Sequence, residues 1–567
     1  MSKAARALSD ADALRELIRQ VWPEAIARWS SFLLLSDPAL DAQQPSIAQI
    51  DLSTRCVSVN ERLIAELHLE DCLPAMLAHE VGHHVSFPGT LQVQARLRLL
   101  ERTLLPAPEH SLVNAFTDLM INERLGRTDL RPQMIKIYRA GVQRMLKGDA
   151  EAGRQDPFFG FYLGLYEALW DLKEGEILGP LVAPLARQFP QYRAEAALLT
   201  QDLFVLGPNL YTQLLYFLSL SIRYLIPALR RGLEAQAARA AQGCHCGEPS
   251  ASDWGQAITP TQAEKEAIRR AIERGWFDAR NADRLSRALD INERLSGLPG
   301  IGSADASQVP QIMAAYYRQQ AERLLFQPPP QPRIGEAVLP SVLEEWTPAD
   351  PVQEIDWLAT LLLRGERLGP ALPVKRLFEA EREGEDVRFL EARMEIYLDV
   401  SGSMPNPCLN LNPMTLAAQI LATATTRSGG KVRVALYSHE TLKHWKWSRS
   451  ERELSGFLMH YIGGGTAFPF ELLEQSRREL GASQPIRVII TDHDFDANVE
   501  KNPTSMAILA AAANNSPGLI LLQQGEDAAA AKSYRALGMR VVSVTELDNY
   551  PRVARDLAWA LFPETRT

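Results

Sequence analysis

The chain has 567 residues, too many for one hydrophobic core, so two or three domains are expected. Hydrophobic residues make up 46% and charged residues 23%, the balance of a globular protein rather than a disordered or fibrous one. A net charge of −9 argues against a nucleic-acid groove as the main business of the surface; five scattered cysteines argue against a disulfide framework and fit a reducing, cytoplasmic compartment.

Residues 1–35 predict an amphipathic helix without the unbroken apolar run of a signal peptide. SIAQIDLSTRCVSVN (46–60) alternates enough to be a strand or hairpin. LEDCLPAMLAHEVGHHV (69–85) then repeats apolar residues at helical spacing, with Glu70 and Asp71 near the start, where negative charge suits the helix dipole. On that helix His79 and His83 share a face and can aim imidazole nitrogens at one metal ion. Glu80 falls beside the ion, where it can take a proton from water. His84 points about 100° away from His83 and reads as a polar flank. Cys72 lies on nearly the same face as His79 and reads as a buried structural thiol.

A catalytic zinc usually takes three protein ligands and keeps one position for water. The best source for the third is SLVNAFTDLMINERLG (111–126), a predicted helix on which Asn114, Asp118 and Asn122 share one face. Asp118 is the expected ligand, because Leu119, Met120 and Ile121 predict a buried helix in which an unpaired carboxylate is costly. Glu123 is the runner-up.

From about 110 to 235 the pattern is helix after helix, with breaks at DPFFG, GPLVAP and LGPN. The most apolar stretch (209–232) contains Gln213, Arg223 and Pro227 and falls short of about 20 clean apolar residues, so it reads as a buried helix rather than a membrane span. QGCHCGEPSASDWGQAITP (242–260) reads as a loop: Cys244, His245 and Cys246 are adjacent and cannot surround one tetrahedral ion without distant help. QPPPQPRIGEAVLP (327–340) is a proline-rich connector. The expected organisation is therefore a mostly helical domain over 1–240, a linker and helical segment over 241–326, a connector over 327–389 and a last domain over 390–567.

That last domain alternates short apolar runs (MEIYLDV, VRVALYS, IRVIITD, GLILLQQ, MRVVSV) with helical stretches, which calls for a parallel sheet covered on both faces. HWKWS (444–448) reads as an edge strand. YLDVSGSMPNP (397–407) sets Asp399, Ser401 and Ser403 at alternate positions on a tight turn, where three oxygens can reach one hard cation. Thr466 in YIGGGTAF and Asp492 in VIITDHDF sit at later strand ends, at the sheet edge where open α/β folds bind ligands. No G-x-S-x-G elbow accompanies Ser401, which argues against a nucleophilic serine.

Two resemblances follow from these residues. HEVGHH, followed by Asn114, Asp118, Ile121, Asn122 and Leu125, resembles the metallopeptidase domain of bacterial proteins that carry a C-terminal von Willebrand factor A (vWA)-like domain. The likeness implies a zincin-like fold, zinc on His79, His83 and Asp118, and Glu80 as general base. Asp399, Ser401, Ser403, Thr466 and Asp492 are similar to the metal-ion-dependent adhesion site of vWA domains, which implies a Rossmann-like α/β fold, Mg²⁺ (or Mn²⁺ or Ca²⁺), and a protein partner that completes the ion's shell with an acidic side chain. His493 departs from that pattern, in which glycine follows the last Asp. In families of this type the vWA domain often works beside a MoxR-type AAA+ ATPase. Two functions are open: a zinc peptidase acting on a peptide or protein, and a non-catalytic vWA adaptor with a structural zinc. Glu80, for which an adaptor has no need, favours the first.

Overall fold

A computed structural model describes residues 3–105, 112–148, 157–230, 246–299, 307–325, 342–348, 350–364, 373–377, 392–480, 484–514, 518–525 and 528–562. The proline-rich connector, Cys244 and His245 lie outside these residues. The chain forms two compact units. The first comprises Met1–Gln319 with Gly402–Asn412 and Ser455–Gly463; the second comprises Gln320–Ser401, Pro413–Leu454 and Gly464–Thr567.

The first unit is mostly helical. It opens with α1 (Lys3–Ala27), which stops short of the expected 35 residues and gives way to turns. A small sheet follows: β1 (Ala39–Leu40), β2 (Ala48–Asp51) and β3 (Cys56–Val59), in the order β1-β3-β2. Strands β2 and β3 pair antiparallel, the hairpin expected from 46–60. Asn60 then caps α2 (Glu61–Leu67) by accepting the Leu63 N–H.

Next come α3 (Leu73–Val85), which carries His-Glu-x-x-His, α4 (Leu91–Leu104), α5 (Leu112–Leu125), α6 (Arg131–Gly148) and α7 (Pro157–Leu169). The break expected at DPFFG falls at the start of a helix. Pro157 opens α7, where the missing N–H costs nothing, and Phe158, Phe159 and Phe161 are buried in its first turns. The longest apolar stretch forms the helix Leu210–Arg230. No described helix is long and apolar enough to cross a membrane.

Helix α5 is buried at every position from Leu112 to Asn122, and α3 packs against it. That approach depends on Gly82, the second x of His-Glu-x-x-His. A Cβ there would lie 2.5 Å from the Trp29 ring and 2.8 Å from the Ile121 side chain. The ring cannot yield easily: Trp29 Nε1 donates to the Ala78 carbonyl at 2.6 Å, and the Arg124 guanidinium stacks 4.5 Å from it.

In the second unit, β4 (Val342–Glu345) and β5 (Val374–Leu377) form an antiparallel pair. The main sheet contains β6 (Arg393–Asp399), β7 (Lys431–Tyr437), β8 (Thr441–Ser448), β9 (Ile486–Thr491), β10 (Leu519–Gln524) and β11 (Arg540–Val544), in the order β11-β10-β9-β6-β7-β8. This is the order of a doubly wound α/β sheet. The sheet is mixed rather than wholly parallel: β8, the edge strand that contains HWKWS, runs antiparallel to β7 because the short turn at 438–440 cannot make a crossover. Strand order reverses between β6 and β9, whose carboxyl ends lie side by side.

Gly82→Ala is expected to destabilise the first unit by about 1–3 kcal/mol, the usual cost of forcing a methyl into a packed contact. Thermal denaturation checks this; an unchanged melting temperature would show that Trp29 can move aside.

Candidate metal centre

Helices α3 and α5 bring His79, His83 and Asp118 together, with one ligand atom from each lying within 4.8 Å of the others. The two Nε2 atoms are 3.2 Å apart, and Asp118 Oδ1 is 3.2 Å from His83 Nε2 and 3.6 Å from His79 Nε2. A tetrahedral zinc with bonds of about 2.0–2.1 Å sets its ligand atoms about 3.3 Å apart, so this triangle has the right edges for three corners.

Hydrogen bonds outside the triangle fix which ring atoms face it. Asn122 Nδ2 donates to Tyr138 Oη at 2.7 Å and to Tyr166 Oη at 3.0 Å, which orients its Oδ1 toward His79 Nδ1, 2.7 Å away. His79 Nδ1–H therefore donates outward. His83 Nδ1–H donates to the Phe87 carbonyl at 2.8 Å, since a carbonyl can only accept. In the neutral rings both Nε2 atoms then carry lone pairs, aimed at each other and at a carboxylate. Consistent with this, buried Asp118 Oδ1 has no hydrogen-bond donor. Three electron pairs converging in a buried site repel one another unless a positive charge, a metal ion or a proton on one imidazole, lies between them.

The electrostatics carry the same demand. Burial of His83 resists charging, yet the Cys246 thiol and the Asp118 carboxylate beside it raise its proton affinity well above that of an ordinary imidazole. Burial alone would raise the Asp118 carboxyl, but His79 and His83 outweigh it and hold the group below the usual carboxylate range. Glu80 is 2% exposed.

Glu123 is not at the site. It faces the other side of α5 and pairs with Arg127 one turn on, as its position five residues after Asp118 dictates. Cys72 is buried at the start of α3, and burial, reinforced by Asp71, pushes its thiol up to about 12; it serves packing. Sequence reasoning missed the bracing roles of Tyr138, Tyr166 and Tyr162, the last 2.7 Å from Tyr166 Oη. It also missed Cys246. Cys244 and His245 lie outside the described residues, but Cys246 is 2% exposed and acts electrostatically on the His83 imidazole.

At the sheet edge of the second unit, Asp399 ends β6 and accepts from the Ser401 N–H at 2.9 Å and from Thr491 Oγ1 at 3.1 Å. Asp492 follows β9 and accepts from the Asp494 N–H at 2.9 Å. Asp399, Ser401 and Asp492 are all buried. The loop bearing Thr466 is pinned to the end of β7: Ser438 Oγ donates to the Gly465 carbonyl at 2.8 Å, and Ala467 N–H donates to the Ser438 carbonyl at 2.8 Å. Gly463 and Gly464 precede it with φ of 72° and 84°, a path that side chains disfavour. Ser403 is exposed and lies in the 402–412 segment, which groups with the first unit. His493 is exposed and leaves Asp492 buried.

No protein-family model matches the chain, and no curated protein matches it by sequence.

Replacing Asn122 by Ala removes the acceptor that sets the His79 tautomer, and should weaken divalent-metal binding by about 10–100-fold. Metal titration of wild type and variant reads this directly; equal affinity would mean that the tautomer needs no brace.

For Asp399, burial foremost and then Asp492 overcome the Ser401 and Thr491 hydrogen bonds and raise the carboxyl to about 6. Its pKa in the fold thus lies above that of the unfolded chain, so the stability it contributes is full below about pH 4 and is lost as pH rises through 6, by roughly 3 kcal/mol at neutral pH. Magnesium should raise the melting temperature at neutral pH and do little at pH 5. Asp399→Asn should abolish both the pH dependence and the magnesium effect.

Proposed function

We propose that this chain is a zinc-dependent metallopeptidase coupled to a cation-dependent vWA-type protein-binding module, in a cytoplasmic setting. The observation that carries this reading is the convergence of two outward-braced imidazoles and the orphaned Asp118 oxygen, with Glu80 next to the first ligand in the chain. Nitrogen and carboxylate donors in a tetrahedral spacing suit zinc.

When bound, zinc would lower the pKa of a coordinated water to about 7 and polarise the scissile carbonyl. The protein's own residues do the rest. Asn122 and the Phe87 carbonyl hold the imidazoles in the tautomer that offers Nε2. Asp118 supplies the negative charge that retains a divalent ion in a buried site. Glu80 takes the proton of the attacking water and passes it to the departing amine.

In the second unit Asp399 ends β6 and Asp492 follows β9, beside the point where strand order reverses and such sheets bind ligands; Ser401 and Thr466 would supply hydroxyl ligands, as the sequence resemblance implies. Buried carboxylates flanked by hydroxyls suit a hard cation such as Mg²⁺, leaving a coordination position for an acidic side chain of a partner. A MoxR-type AAA+ ATPase is the partner that the sequence resemblance implies.

One observation favours a non-catalytic adaptor instead: His83 is wholly buried and Glu80 nearly so, which is the condition of a structural site. Hydrolysis of casein or a peptide library by wild type and by Glu80→Gln, each with its zinc content measured and with and without the ATPase, separates the two. The peptidase reading expects the variant to keep its zinc and lose about 10²-fold or more of the activity. Equal rates in both proteins would leave the adaptor.

A further inference from the structure

The helix Trp357–Arg364, between β4 and β5 in the chain, turns its small residues inward and its large apolar residues outward. Ala359 and Thr360 are its buried pair. Thr360 Oγ1 accepts the Val374 N–H at 3.0 Å and donates to the Asp356 carbonyl at 2.7 Å, while the Asp356 N–H donates to the Val374 carbonyl at 2.9 Å. Asp356 Oδ1 accepts the Ala359 N–H at 2.9 Å and closes the first turn. Hydrogen bonds and small side chains thus fix the helix to β5, and most of its leucine surface is left in solvent.

At about 100° per residue, Trp357, Leu361, Leu358 and Leu362 form one continuous arc roughly 140° wide. All four are exposed, Leu358 at 68% and Leu362 at 79%. An apolar stripe of that width ordinarily faces a core, and a contiguous exposed one marks an interaction surface.

The charge around the stripe selects what covers it. Residues 342–391 include twelve acidic and six basic residues, a net −6 against −9 for the whole chain. Glu344, Glu345 and Glu354 are exposed on β4 and just before the helix, and Lys375 is engaged by Asp350 at 2.7 Å. A second copy would bring the same negative charge to the contact, and so would an anionic lipid surface; both are repelled. A cationic partner is attracted, and one that presents apolar residues on a single helical face matches the stripe.

We propose that the outer face of the helix Trp357–Arg364 is a docking surface for a basic amphipathic helix of a partner protein. The partner's apolar face covers Trp357, Leu358, Leu361 and Leu362, and its lysines or arginines meet the surrounding carboxylates. None of these residues belongs to either cation site.

The test uses the full chain and two fluorescein-labelled peptides, one with leucine on one helical face and lysine on the other, the second with glutamate in place of every lysine. Fluorescence anisotropy should show the lysine peptide binding wild type, less tightly as salt is raised, and the glutamate peptide not binding. Leu358→Ser combined with Leu362→Ser should weaken binding about 10-fold or more and leave the melting temperature unchanged, since both side chains are in solvent. Absence of binding, equal binding of the lysine peptide by wild type and variant, or equal binding of both peptides by wild type overturns the proposal. So does a lowered melting temperature in the variant, which would show that this chain itself covers the leucines. Dimerisation of wild type that the variant lacks would assign the face to a second copy, and flotation with phosphatidylglycerol vesicles that the variant lacks would assign it to a membrane; either result removes the partner helix.

Discussion

Two imidazole protons set the geometry of the histidine cluster by where they are. Each histidine of α3 gives its Nδ1 proton to a fixed acceptor outside the site, His79 to Asn122 and His83 to the Phe87 carbonyl. The opposite ring nitrogens are then obliged to present lone pairs inward. Much of the first unit serves that obligation. Asn122 can hold its orientation only because two tyrosine hydroxyls, from α6 and α7, accept both of its amide hydrogens. Helices α3 and α5 in turn approach closely because Gly82 carries no side chain.

The second unit meets a related problem with different chemistry. At the carboxyl ends of its adjacent strands β6 and β9 the buried charges are the carboxylates of Asp399 and Asp492, with hydroxyl groups around Asp399. Imidazole nitrogens and a carboxylate in one place, and oxygens only in the other, are donor sets that would suit borderline and hard cations respectively. Each fold positions its donors by its own regularity: one turn of helix between His79 and His83, and the register of parallel strands for Asp399 and Asp492.

How much of this the sequence displays depends on the distance over which each relation acts. His79 with His83, and Asn114 with Asp118 and Asn122, are relations within one helix, and helical periodicity exposes them. Asp118 could be preferred over Glu123 because its neighbours Leu119, Met120 and Ile121 announce burial, whereas Glu123 has Arg127 one turn on. The runs of the main sheet are visible as apolar segments, but their spatial order is not, since alternation alone does not say which strand lies beside which. Cys246 shows the limit. Nothing in GCHCG announces that Cys246 is buried; its carbonyl accepts the Leu52 N–H just past the end of β2, a residue nearly two hundred positions away. The tyrosines that brace Asn122 were hidden for the same reason.

The first unit is assembled from three separate stretches of chain, two of which, Gly402–Asn412 and Ser455–Gly463, are excursions out of the sequence that builds the main sheet. Within that unit the Asn412 N–H donates to the Tyr317 hydroxyl at 2.7 Å. The polypeptide therefore passes back and forth between its two bodies instead of crossing once. Scissors applied anywhere in the proline-rich connector would not yield two complete pieces, because the C-terminal fragment would carry away parts of its neighbour.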